Sequence, residues 1–231
     1  MKTDRLTSGI PGLDRLIQGV FKKNSINLFA GEPCAGKTIF GIQFLVEGCK
    51  LGEPGIYITF EEKKEKLYED MASFGIDLLK HEKKGLFHFL EYTPEQVKRL
   101  LVEGGGEVEA LVEKIKAKRM VIDSITSLYL LYEDELTKKE AALSLFDLIN
   151  KWNCTAILTS QAKASDNQAL LEAGLEFEVD SIILLYHAKQ KGERIRAIEI
   201  LKMRATKIPS KTFGIDIKEK GLVVTNDIIK L

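Results

Sequence analysis

The chain has 231 residues, 45% hydrophobic and 29% charged, an ordinary makeup for a globular protein with one sizeable core. Its 34 lysines and arginines balance 34 aspartates and glutamates, so no net field exists to gather nucleic acid or an anionic membrane. The longest apolar runs, such as Ile182-Ile183-Leu184-Leu185, are strand-sized, well short of the ~20 residues that a membrane helix needs.

The opening Met1-Lys2-Thr3-Asp4-Arg5 does not read as a signal peptide. Residues 26–30, all apolar except Asn27, read as a strand, and residues 38–48 as a helix with Phe40, Phe44 and Leu45 on its apolar positions. Gly52-Glu53-Pro54-Gly55 is a turn leading into a second strand, 56–60, rich in β-branched and aromatic residues. A helix follows from Lys63 to Phe74, ending near Gly75, with a short strand over 86–90. From Pro94 a helical pattern runs toward Ala117, broken into two helices by Gly104-Gly105-Gly106.

Met120-Val121-Ile122 is a buried strand ending in Asp123-Ser124. Thr137 is positioned to cap a helix that runs to Trp152, with Glu140 completing a capping box. Residues 156–158 and 182–185 give two more buried strands, and the polar stretch 162–174 between them reads as flexible. The last part, 195–224, alternates and turns at Lys220-Gly221, as antiparallel hairpins at a sheet edge do. Strands alternating with helices predict an α/β fold, a mostly parallel sheet with helices on both faces, as a single domain over residues 1–231. Ligands of such sheets bind at the carboxyl ends of the strands.

Gly31-Glu32-Pro33-Cys34-Ala35-Gly36-Lys37-Thr38 fits the phosphate-binding pattern G-x-x-x-x-G-K-[ST], between a buried strand and a helix. Glycines let backbone N–H groups converge on an anion, and the helix adds its N-terminal dipole. Lys37 suits the β- and γ-phosphates of ATP, and the Thr38 hydroxyl suits Mg²⁺. Asp123, at a strand end, can hold Mg²⁺ through water as the second half of the nucleotide site, and Phe40 belongs with the loop's nucleotide-binding set. Glu61 and Glu62 follow the second strand, where paired carboxylates can polarise an attacking water; beside Lys63 and Lys64 they read equally well as a solvated charge run. Gln161 ends another strand, as a γ-phosphate sensor or as a plain surface residue. Cys34, Cys49 and Cys154, with His81, His88 and His187, show no metal-ligand spacing. The setting expected from all this is the cytosol.

Several blocks together resemble the KaiC family of RecA-type P-loop ATPases, in its single-domain archaeal form. Thr7-Ser8-Gly9-Ile10-Pro11-Gly12-Leu13-Asp14 is similar to the segment ahead of that family's phosphate loop. Thr59-Phe60-Glu61-Glu62 resembles its paired catalytic glutamates, and Val121-Ile122-Asp123-Ser124 its Walker B strand. Thr159-Ser160-Gln161 and Val179-Asp180-Ser181 resemble later blocks, and Lys202-Met203-Arg204 its Lys-x-Arg element. The resemblance covers nearly the whole chain in order. It implies a hexameric ring with ATP between subunits, Glu61 as the preferred base with Glu62 in support, and Lys202 and Arg204 acting on a neighbour's γ-phosphate. Cys34 departs from the family, which usually has Gly there. The family's clock proteins carry two tandem domains and phosphorylate a Ser-Thr pair, whereas here Leu175-Glu176-Phe177-Glu178 offers no hydroxyl. The expected role is an ATPase acting on or signalling to a protein partner.

Two other functions compete with this one, a DNA-binding recombinase of the RadA or RadB type and a slow nucleotide-dependent switch. Tyr132-Glu133-Asp134-Glu135 is acidic, and the stretch 163–172 sets Lys163 against Asp166 and Glu172. Neither makes the basic, aromatic surface that nucleic acid favours.

Overall fold

The computed structural model describes residues 5–19, 21–161, 177–190 and 192–230. In chain order the elements are β1 (Arg5–Leu6), α1 (Leu13–Leu16), β2 (Phe21–Lys22), β3 (Ile26–Gly31), α2 (Lys37–Lys50), β4 (Gly55–Thr59), α3 (Lys64–Ser73) and α4 (Leu78–Lys83). Then come β5 (Phe87–Glu91), α5 (Pro94–Val102), α6 (Gly106–Ile115), β6 (Arg119–Asp123), α7 (Ile125–Tyr129), α8 (Glu135–Trp152) and β7 (Thr155–Gln161). The last strands are β8 (Ser181–Gln190), β9 (Glu193–Met203), β10 (Thr212–Lys218) and β11 (Gly221–Ile229).

Among the described residues nine strands form one sheet in the order β11-β10-β9-β8-β3-β7-β6-β4-β5. The strands from β8 to β5 run parallel, and β9, β10 and β11 continue as antiparallel neighbours. All six residues of β3 are buried, the pattern of a parallel strand covered on both faces. Successive side chains then pack into opposite layers. Phe29, Tyr57, Val121, Ile157 and Ile183 meet α2 and α3, while Leu28, Ile58, Ile122, Leu158 and Leu184 meet α5 to α8. On α2, Phe40, Ile42, Phe44 and Leu45 are fully buried, each contributing ~1.5–3 kcal/mol. Among the described residues no helix is long and apolar enough to cross a membrane.

The hairpins at 195–224 form as their alternation predicts, and the triple glycine separates α5 from α6 as expected. The helix N-terminus predicted at Thr137 lies elsewhere. Asp134 is the cap: its carboxylate accepts from Thr137 N at 2.9 Å and from the Thr137 hydroxyl at 2.6 Å. The acidic run read as loop therefore starts α8, an Asp cap being worth ~1 kcal/mol over Ala. The β1–β2 pair and the short helices α1, α4 and α7 have no counterpart in the sequence pattern, each being too brief to show a period. Met1 to Asp4, the polar stretch 162–174 with Lys163, Asp166 and Glu172, and Leu175-Glu176 lie outside the described residues.

Arg119, at the start of β6, has no exposed surface. Its Nε and Nη2 both lie 2.8 Å from Glu53 Oε2, and its Nη1 donates to the Thr7 and Phe44 carbonyls at 2.7 and 3.0 Å. The guanidinium also sits 4.6 Å from the Phe44 ring centroid. This one cation ties the N-terminal segment and α2 to the foot of the sheet.

Candidate functional site

The register of the parallel strands brings the predicted residues to one edge. Gly31 pairs with Gln161 and with Leu185, and Thr59 pairs with Asp123. The loop joining β3 to α2 therefore opens at the carboxyl ends of the strands, where the end of β4 supplies Glu61 and Glu62.

Two glycines make the loop feasible. A Cβ on Gly31 would lie 2.1 Å from the Leu185 carbonyl oxygen, because β8 passes directly alongside. Gly36 caps α2 at φ +104°, with no side chain closing the first turn, so the leading N–H groups of the helix stay available to an anion. Cys34 takes φ +63°, the left-handed region that favours glycine, which fits the family's usual Gly at that position. Pro33 and Cys34 are exposed while Ala35 is buried. The Lys37 ammonium turns into the loop and donates to the Gly31 and Glu32 carbonyls at 2.7 and 2.9 Å. Burial lowers its pKa below the usual lysine range, against the pull of Asp123, Cys34 and Glu32.

Thr38 donates to Asp123 Oδ2 at 2.8 Å. Two oxygen groups so close could help to hold a hard divalent cation. Asp123 also accepts from the Tyr57 hydroxyl at 2.8 Å and from the Thr159 hydroxyl at 2.5 Å. After β4 the buried Thr59 hydroxyl accepts from the backbone N–H groups of Glu61 and Glu62 at 3.3 and 3.1 Å. That turn sends the two carboxylates apart. Glu61 is exposed and accepts from the Ser127 hydroxyl. Glu62 turns inward, with one buried carboxylate oxygen that has no partner among the described residues. Desolvation first, then the charges of Asp123, Asp70 and Glu61, raise its pKa against the pull of Lys66.

Gln161 is exposed beside Gly31, and its backbone N–H donates to the Thr126 hydroxyl at 2.8 Å. Phe40 is the residue of the expected set that lies elsewhere. Its ring is fully buried, 4.2 Å from the Phe29 centroid; its place on the inner face of α2 puts it in the core, not at the loop's open side. Lys202 and Arg204 are not brought to the loop either. Met203 pairs with Ser181, the first residue of β8 and four residues before Leu185, which is level with the loop. Lys202 donates to the Val179 carbonyl at 2.7 Å, and Arg204 to the Phe177 carbonyl, with Asp180 3.8 Å from its guanidinium.

The sequence pattern did not single out Tyr57, Thr159 or Ser127, whose hydroxyls hold the carboxylates in place. Nor did it find His187 and Arg196, cross-strand partners on β8 and β9 that reach the Pro33 and Cys34 carbonyls at 3.4 and 3.0 Å. Apart from Thr159, none of these residues sits in a contiguous motif, so only spatial contact marks it. The opening segment 7–14 is packed onto the fold: Ser8 N donates to Asp14 Oδ1 at 3.0 Å, and Ile10 and Leu13 are buried.

The sequence profile of the family described as "ATPase: KaiC" matches residues 6–228. A UPF0273 protein of Pyrococcus horikoshii is 33% identical, over 97% of the chain and 95% of that protein. The circadian clock protein KaiC3 of Synechocystis is 31% identical over 96% of the chain, which spans 45% of that larger protein. The crystal structure of a KaiC-like protein from the hyperthermophilic archaeon Pyrococcus horikoshii superposes with a TM-score of 0.85 at 35% identity, covering 96% of this chain and 99% of that one.

Proposed function

The chain belongs to the KaiC ATPase family of the RecA superfamily, and on that premise we propose that it binds ATP with Mg²⁺ at the loop 31–38 and hydrolyses it between the subunits of a hexameric ring. The observation that carries this reading is the convergence of Lys37, Thr38, Asp123 and Glu61–Glu62 at one sheet edge, around a loop that only glycine allows at Gly31. We read residues 1–231 as one domain, in accord with the span of the family match.

In this mechanism the loop N–H groups and Lys37 hold the triphosphate. Thr38 and Asp123 would hold Mg²⁺, which when bound would neutralise charge on the β- and γ-phosphates. Glu61, steadied by Ser127, accepts a proton from the attacking water, and Glu62 supports it from the inner side. Gln161, next to Gly31, reports on the γ-phosphate, and Lys202 and Arg204 serve the site of the neighbouring subunit.

A protein is the favoured partner over nucleic acid. The acidic run Glu133-Asp134-Glu135 lies between Leu130 and Leu136, which are 81% and 66% exposed, a surface that repels phosphates and attracts apolar protein contacts. Three free cysteines accord with the reducing cytosol.

The test is isothermal titration with Mg·ATP together with phosphate release, comparing wild type and Lys37→Ala. A buried ammonium within ~4 Å of a phosphate is worth ~4 kcal/mol at an effective dielectric of about 20. The variant should therefore bind ATP about 10²–10³-fold more weakly and release no phosphate. Unaltered affinity would remove the assignment of the loop.

A further inference from the structure

Asp123 receives hydroxyls from three separate elements: Thr38 of α2 and Tyr57 of β4 at Oδ2, and Thr159 of β7 at Oδ1. Thr38 faces the loop, and its hydroxyl lone pairs are free to meet a cation while its proton stays on Asp123. Tyr57 differs in kind. It is fully buried, so it touches neither nucleotide nor solvent. Its ring stacks on Phe89 at 5.9 Å and 15°, and it pairs with Val121, two residues short of Asp123 on β6. The phenol thus reaches along the strands from within the core and ends beneath the carboxylate. Phenylalanine would fill the same space against Phe89, so packing alone does not call for the hydroxyl.

Resting on the Mg·ATP reading of the site, we propose that Tyr57 is a positioning residue: its hydroxyl fixes the Asp123 carboxylate in the orientation that receives the divalent cation. A free aspartate side chain rotates about two bonds. Here the Tyr57 and Thr159 hydroxyls pin its two oxygens from opposite neighbouring strands. Such outer partners of a ligating carboxylate set its direction, and their removal typically lowers metal affinity ~10–100-fold. Tyr57 acts through Asp123 and never contacts the reacting atoms.

The experiment compares wild type with Tyr57→Phe and Thr159→Val, each full length. Free Mn²⁺ is measured by electron paramagnetic resonance at saturating ADP, and ATP affinity is measured separately in excess chelator. Tyr57→Phe should weaken Mn²⁺ binding about tenfold, the lower end of the usual range because Thr159 remains. It should shift the Mg²⁺ concentration for half-maximal phosphate release equally, and leave metal-free ATP binding unchanged. Thr159→Val should act in the same direction. A purely structural hydroxyl would lower the melting temperature and leave the Mn²⁺ affinity alone, and that result overturns the proposal. If the wild type itself binds no Mn²⁺ with ADP, the reading of the whole site falls and this role falls with it.

Discussion

The most demanding consequence of the proposed function is that Arg204 works only on a neighbour. On β8 the level of the loop is Leu185, opposite Gly31, and the level of Met203 is Ser181, four residues earlier. At ~3.3 Å per residue this is ~13 Å along the strand, and the Arg204 guanidinium is directed onto the Phe177 carbonyl and Asp180. Its own loop is out of reach, whereas among the described residues the second half of β9, beyond the Ile198–Phe213 pair, has no strand on its outer side. A cation supplied in trans to a transferring phosphoryl group is worth ~10³–10⁵ in rate, or about 4–7 kcal/mol of barrier. Losing a positioned base costs ~10²–10⁴. Arg204→Ala and Glu61→Gln subunits should each be nearly inactive alone. In a randomly mixed ring of head-to-tail interfaces, about one in four joins an intact Glu61 to an intact Arg204, so the mixture should recover up to about a quarter of the wild-type rate. The assay is phosphate release from a 1:1 mixture, with mixed rings verified by native mass spectrometry. Mixed rings no faster than the parents would refute the trans assignment.

Arg119→Met should unfold the protein early. It leaves Glu53 and the Thr7 and Phe44 carbonyls without their donor. Glu53 is half-buried, so the main cost is the carbonyls left without a donor, ~1–3 kcal/mol each, and the melting temperature should fall by several degrees; a loss under 3 °C would show the network to be dispensable. Glu62→Gln separates activity from stability through pH. The folded state holds the Glu62 proton above the unfolded pKa of 4.5, so wild-type stability falls as pH rises from there through the raised folded value. The variant should therefore melt higher than wild type at pH 8, converge with it near pH 4, and hydrolyse ATP more slowly. A melting difference that does not change with pH would deny the inward, desolvated placement of Glu62.

What the sequence by itself determined was local in origin. The phosphate loop was legible because its glycines, lysine and threonine are contiguous, and because a buried strand and a helix flank it within ~25 residues. The alternating strands and helices announced the parallel sheet for the same reason: each apolar run is set by its own burial. What only the tertiary structure decided is everything that depends on register between distant strands. Tyr57 and Thr159 are ordinary strand residues until pairing sets them beside Asp123. Phe40 is expected both on the apolar face of the helix and in the nucleotide-binding set, and in the fold its ring is fully buried against Phe29. Glu61 and Glu62 are adjacent in sequence, but the Thr59 turn gives one to solvent and Ser127 and the other to the interior. The sequence places Lys202 and Arg204 only by their resemblance to the family's Lys-x-Arg element, and the antiparallel return of β9 sets them at the amino-terminal side of the parallel strands, away from the loop of their own chain. Strand pairing converts small differences in register into distances of many ångströms, and a single chain's sequence does not encode register in any local pattern.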